Sequence, residues 1–204
     1  MNDQHSTFRP SLRPGRRVGA AFLLTIAAAL GACSSSAVPG FDLSAPRDIR
    51  GNARVPGQVV VVEPTALQPF DTQNIIVRDA SGSVSLLGSG QWTDRLPRLI
   101  QTRLIQTFEN ASARAVSRPG DGITPDYQLN TEVRAFQLDA ARGEAFVELS
   151  EKLVATGTGR ILRARIFAAR VPVGSSNAGE VAQALDRAMS TVFVDIVRWV
   201  GSGR

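Results

Sequence analysis

The only cysteine of the 204-residue chain, Cys33, stands directly behind Leu30-Gly31-Ala32. A leucine and two small residues ahead of a cysteine have the form of a bacterial lipobox, and the chemistry it serves is lipidation. Cleavage between Ala32 and Cys33 would leave a cysteine that carries lipid on its sulfur and on its new amino group. A plain signal-peptidase site is the alternative, but it would leave an exported protein with one unpaired, oxidisable thiol. Several acyl chains, at about 0.8 kcal/mol per buried CH₂, anchor a protein stably to a membrane.

The residues before Cys33 suit that reading. Arg9, Arg13, Arg16 and Arg17 precede an uncharged apolar stretch from Val18 to Leu30, which is the order of a secretory signal. As a helix the apolar stretch reaches roughly 20 Å, against the roughly 30 Å of a bilayer core. Residues 1–32 are therefore read as a lipoprotein signal peptide. Ser34 follows the cysteine. In enterobacteria an Asp at that place retains a lipoprotein in the inner membrane, so Ser points to the periplasmic face of the outer membrane.

Composition narrows the chemistry of the remainder. The only histidine, His5, lies in the signal, so the mature chain holds no histidine and no cysteine besides Cys33. Ser-His-Asp and Cys-His nucleophilic sites are excluded, and so are the usual zinc and copper sites. An all-carboxylate hydrolase would need Glu144, Glu148 and Glu151 gathered in a pocket, and their strand setting predicts that they are wet. The chain is read as a non-enzyme without cofactor. Its +5 formal charge is partly the signal's, and its bases are almost all arginine, Lys152 being the one lysine. No dense basic run is present, so nucleic acid is not an expected partner.

Local patterns then describe one α+β domain over residues 58–201, behind a lipidated N-terminus and tether over 33–57 with a short edge strand at 41–45. Val59–Val62 is β-branched throughout and reads as a strand buried on both faces. Asn74–Arg78 and Ser83–Leu87 flank the turn cluster Asp79-Ala80-Ser81-Gly82 as a hairpin. A helix is predicted from Asp94 to Asn110, capped by Thr93, with Pro97 in its first turn and Leu96, Leu99, Ile100, Leu104 and Phe108 on one face. Ala113–Ser117 could add a short strand.

Three longer strands follow. Tyr127–Val133 alternates, and its phase changes near Arg134–Phe136, as at a bulge. Phe146–Ala155 alternates with Val147, Leu149 and Leu153 inward. In the last strand Leu162, Ala164, Ile166 and Ala168 are expected to face the core, opposite Arg163 and Arg165. A helix from Ala178 to Val200 closes the chain, with Asn177 and Glu180 spaced as a capping pair. The expected architecture is a mostly antiparallel sheet, a hairpin plus a three-strand meander, with two amphipathic helices on one face.

Together these residues resemble the ABC-type transport auxiliary lipoproteins, found with Mce-type (mammalian cell entry) lipid-trafficking systems, including the paraquat-inducible one. The resemblance is carried by the lipobox, by Phe41-Asp42-Leu43-Ser44-Ala45-Pro46, and by the Val-rich strand ending at Pro64. It continues through Ile76-Val77-Arg78, Trp92 ahead of Leu96-Pro97, and Asp126-Tyr127-Gln128-Leu129. It implies a periplasm-facing accessory lipoprotein with a Mce-family protein and an ABC permease as partners, moving lipids or other hydrophobic molecules. Such a protein hydrolyses no ATP itself, and the chain has no phosphate-binding Gly-x-x-x-x-Gly-Lys loop. A ring-forming Mce partner would make a homo-oligomer plausible.

Four side chains are interface candidates: Trp92, Trp199, Arg163 and Arg165. For both tryptophans core packing is the favoured reading, and for the arginines a solvated cross-strand charge pattern. The alternative to a transport adaptor is an outer-membrane lipoprotein that regulates a cell-wall synthase or another envelope assembly. A long disordered linker would favour that reading.

Overall fold

One strand, Tyr127–Asp139, organises the sheet because the next strand pairs along one of its edges and segments from a distant part of the chain pair along the other. The computed structural model describes residues 37–47, 49, 55 and 57–202. The signal at 1–32, Cys33 and most of the segment between Arg47 and Gly57 lie outside the described residues. In chain order the elements are β1 (Gly40–Phe41), β2 (Val59–Val61), β3 (Thr65–Ala66), β4 (Asn74–Arg78) and β5 (Val84–Trp92). They continue as α1 (Leu96–Asn110), β6 (Val116–Ser117), β7 (Tyr127–Asp139), β8 (Glu144–Ala155), β9 (Ile161–Pro172) and α2 (Ala178–Gly201).

Antiparallel β8 lies along one edge of β7 and antiparallel β9 follows it. Along the other edge three short strands are laid end to end, all parallel to β7. β2 meets Tyr127–Leu129, β3 meets Glu132 and Val133, and β4 meets Gln137–Asp139. β5 returns antiparallel beside β4, while β1 and β6 add parallel pairs to β5 and β2.

The sheet, of nine strands among the described residues, is therefore mixed, which corrects the expectation of a mostly antiparallel one. The hairpin and the meander are both present. The parallel pairs arise because the chain leaves β5, passes through α1, and returns to lay β7 beside strands formed earlier. Parallel neighbours need such a crossover. A pairing such as Val59 with Tyr127 joins residues too far apart for any local pattern to announce.

Both helices contribute to one hydrophobic core with the inner face of the sheet. Leu96, Leu99, Ile100, Leu104 and Phe108 of α1 are buried, as are Val181, Leu185, Ala188, Val192, Ile196 and Trp199 of α2. These are the stripes that helical spacing marks out. Asn177 caps α2 by accepting the Gly179 N–H at 2.9 Å. Thr93 does not cap α1: the cap position is Arg95, which makes no side-chain capping bond, and Pro97 sits in the first turn. The phase change in β7 is a bulge at Arg134, between Val133 and Ala135. In the hairpin turn the Asp79 carboxylate accepts from the Ser81 hydroxyl and from the Ser81 and Ser83 N–H groups. Those bonds, the Ser81 hydroxyl foremost, hold its pKa below the ordinary value.

β9 has the opposite phase to the one expected. Leu149 pairs with Phe167, so Phe167 enters the core at 4% exposure while Ile166 stands out at 51%. Leu162, Ala164 and Ala168 are exposed with it. Side chains alternate along a strand, so one core-facing aromatic sets the direction of the whole row. Arg163 and Arg165 share the inner row with Phe167. At the sheet's margin they lay their stems and heads over rings, Arg163 on Trp199 at 4.7 Å and Arg165 on Phe167 at 4.9 Å.

This phase can be tested by substitution. Phe167→Ala should cost about 3 kcal/mol or more, as truncation of a buried Phe does. Ile166→Lys should stay within about 0.5 kcal/mol of the parent, as surface changes do. Urea unfolding of both variants measures this, and the reverse order of effects would restore the sequence-derived phase.

Candidate functional site

The segment from Gly40 to Arg47 crosses both helices as a strap, and its residues are those of the Phe-x-Leu-x-x-Pro pattern. Gly40 and Phe41 pair with Gln91 and Trp92. The Gln91 N–H donates to the Pro39 carbonyl at 3.0 Å, and the Thr93 N–H donates to the Phe41 carbonyl at 2.8 Å. The Phe41 ring lies over Gly90. A Cβ on Gly90 would stand 2.6 Å from that ring and 2.8 Å from Ala178 Cβ, so the close approach requires glycine.

Beyond the strand, Leu43 is buried at 3% exposure and its two neighbours are tied down in opposite directions. Asp42 forms an ion pair with Arg103 of α1. The Ser44 N–H and hydroxyl both donate to the Asp186 carboxylate of α2, at 2.6 and 2.8 Å. The Asn110 side-chain amide at the end of α1 donates to the Pro46 carbonyl at 3.0 Å. The strap is thus tied into the helical layer rather than hanging free.

A cleft of about 540 Å³ opens beside the strap, lined by Leu43, Ser44, Ala45, Arg47, Arg103 and residues of the last turns of α1. Arg103 is already engaged there, donating to Gln106 Oε1 at 2.8 Å as well as to Asp42. At the other end of α1, Arg95 donates to Asp71 and pairs with Glu63. The hydrogen bond and charge of Asp71, then the charge of Glu63, raise the Arg95 pKa.

The sequence-derived candidates fall in three places. Cys33 lies outside the described residues. Trp92 is fully buried, packed edge-on against Phe136 at 5.5 Å between ring centroids, and Trp199 is 7% exposed against Phe167. Both are core residues. Arg163 and Arg165 do share one strand face, but Arg163 is half-buried and donates to the Trp199 carbonyl at 2.7 Å, while the Arg165 residue is exposed.

The carboxylates do not converge. Glu144 and Glu148 lie on the outer face of β8 and pair with Arg170 and Arg134. Glu151, expected to be wet, is instead fully buried on the inner face. Its Oε2 accepts from the Thr131 hydroxyl at 2.9 Å, and its Oε1 has no partner among the described residues. Burial pushes its pKa up to about 8, partly offset by the Thr131 hydrogen bond. Among the described residues no group of three or more metal-ligating side chains gathers, and no helix is long and apolar enough to cross a membrane.

With this geometry in view, comparison with known proteins is decisive. The family model for the ABC-type transport auxiliary lipoprotein component matches residues 41–197, from the strap to near the end of α2. The chain belongs to that family. That family is described as an auxiliary lipoprotein component of ABC-type transport. An uncharacterized protein of Bradyrhizobium diazoefficiens is 30% identical over 166 residues, which is 78% of this chain. The aligned part spans 44% of that relative, so the chain matches less than half its length.

A crystal structure of protein XCC0632 from Xanthomonas campestris superposes with a TM-score of 0.68 at 25% identity, covering 79% of this chain and 91% of that one. A second crystal structure, of an uncharacterized protein, shares the fold with a TM-score of 0.62 at 13% identity, covering 79% and 99%.

Two outcomes follow from the strap and from Glu151. Gly90→Val should displace Phe41 and free the strap, so limited proteolysis should cut within residues 40–47 at least about tenfold faster while the remaining domain stays protected. Unchanged cutting would show that the strap does not depend on the Phe41 seat. For Glu151, the folded carboxyl keeps its proton up to about pH 8, whereas the unfolded one releases it near 4.5. Stability should therefore fall by up to about 1.4 kcal/mol per pH unit as pH rises between those values, and level off above them. Glu151→Gln should remove that slope and be the more stable protein at pH 8, as read by melting curves from pH 5 to 9.

Proposed function

We propose that the protein is anchored by lipid on Cys33 and serves, without chemistry of its own, as an accessory component of a Mce-type ABC transport system. That system carries lipids or other hydrophobic molecules across the bacterial envelope, with a Mce-family protein and the ABC permease as direct partners. The Ser after Cys33 supports placement on the periplasmic face of the outer membrane.

The observation that carries this reading is the strap. Its Phe41-x-Leu43-x-x-Pro46 pattern opens the family match, and in the fold it is held by both helices rather than hanging as linker. Only residues 34–39 then separate a lipidated Cys33 from the sheet. At about 3.4 Å per extended residue this lets the domain stand no more than roughly 25 Å from its anchor. A short tether suits a component that works beside its membrane. The alternative of an envelope regulator that reaches a distant synthase needs a long one.

The test is a crosslinking pull-down of the lipidated protein from its native envelope, with Cys33→Ala as control. A Mce-family protein and its permease should be recovered with the parent and be lost or strongly reduced with Cys33→Ala. Recovery of cell-wall synthases without any Mce-family protein would replace this reading with the regulator.

A further inference from the structure

β9 is a twelve-residue strand that pairs with β8 along one edge and with no strand among the described residues along the other. Its free edge presents backbone donors and acceptors ready for another strand. The half of β9 nearest the β8–β9 turn is also the apolar half on its outer surface: Ile161, Leu162 and Ile166 are 54%, 38% and 51% exposed. Interleaved with them are Arg160, Arg163 and Arg165, none of which lies within ion-pair distance of a carboxylate among the described residues. Farther along, Arg170 is neutralised by Asp139 and Glu144. The first half of the edge therefore carries uncompensated arginines, whereas the arginine of the second half is neutralised within the sheet.

We propose that the first half of β9, Ile161–Phe167, together with Arg160 just before it, is a docking edge for an extended, acidic strand of a partner protein, which joins the sheet beside β9. Backbone pairing would supply affinity and alternating acidic side chains would supply selection. Arg163 and Arg165 are already stacked on Trp199 and Phe167, so holding them for a carboxylate costs little further side-chain entropy. A second copy of this chain is disfavoured as occupant, because it would bring another set of arginines against these. A lipid surface would satisfy the arginines and aliphatic groups but leave the strand's backbone unpaired in an apolar medium. The inference deepens the accessory role by giving the partner's chemistry, and it rests on that reading only for assigning the partner to the transporter.

Hydrogen exchange on the full chain, purified in a zwitterionic detergent, tests it with a short capped peptide of alternating glutamate and valine. Alternate amides of residues 160–167 should slow by at least about tenfold with this peptide. A lysine–valine counterpart should leave them unchanged. Arg165→Glu and, separately, Arg160→Glu should weaken the response at least about tenfold, and both positions are exposed, so the fold is retained. Equal effects of the two peptides, or no slowing with either, would overturn the proposal. Slowing that depends on protein concentration without peptide would give the edge to a second copy, and slowing on phosphatidylglycerol vesicles alone would give it to lipid. A failed transporter pull-down with β9 still protected by the acidic peptide would remove the transport reading and leave the docking edge. The reverse pair of results would remove the docking edge alone.

Discussion

The contact between the apolar stripe of α2 and the inner rows of β7, β8 and β9 is the constraint on which the rest of the structure depends. Leu185, Val192 and Ile196 meet a sheet face that includes Leu129, Val133, Leu149 and Phe167, all within one core. Each such side chain contributes about 1.5–3 kcal/mol when fully buried, so no local preference of a single strand residue can outweigh the register that buries them together. Once α2 lies there, the other placements follow. Phe167 must turn inward, its aliphatic neighbours must turn outward, and Asp186 is left at the helix surface where the strap can reach it.

The same constraint explains the least comfortable residue in the fold. Glu151 alternates in phase with Val147, Leu149 and Leu153, so the register that buries those three buries the carboxyl as well. A buried acid with one hydroxyl partner responds by holding its proton, which lowers the cost of desolvation at the expense of stability at higher pH. The other carboxylates of β8 lie on the opposite face in ion pairs, so the fold separates charges that a hydrolytic site would need to bring together.

The strap connects this architecture to the family's accessory role. It takes a polar partner from each helix, seats Phe41 over Gly90 and inserts Leu43 into the core. The beginning of the family match is thus a structural member that joins the two helices. Among the described residues nothing covers the face opposite the helices, and β9 at its margin carries exposed aliphatic groups on that face and uncompensated arginines on the inner row.

What the sequence determined by itself was local. The helix stripes of α1 and α2, the Asn177 cap, the β4–β5 hairpin, the meander and the bulge at Arg134 all lie within reach of spacing and turn chemistry, because each depends on residues a few positions apart. The family pattern was legible from Phe41 onward for the same reason. Tertiary structure alone decided the parallel pairs of β7 with β2, β3 and β4, which join segments separated by the whole crossover through α1. It decided the phase of β9, where alternating apolar residues stood on both rows and one aromatic contact with Trp199 and α2 chose between them. It decided the burial of Glu151, whose charge predicted water while its position in the alternation placed it under a helix. A strand's sequence gives its period of two, and only the layer that covers it says which side is inside.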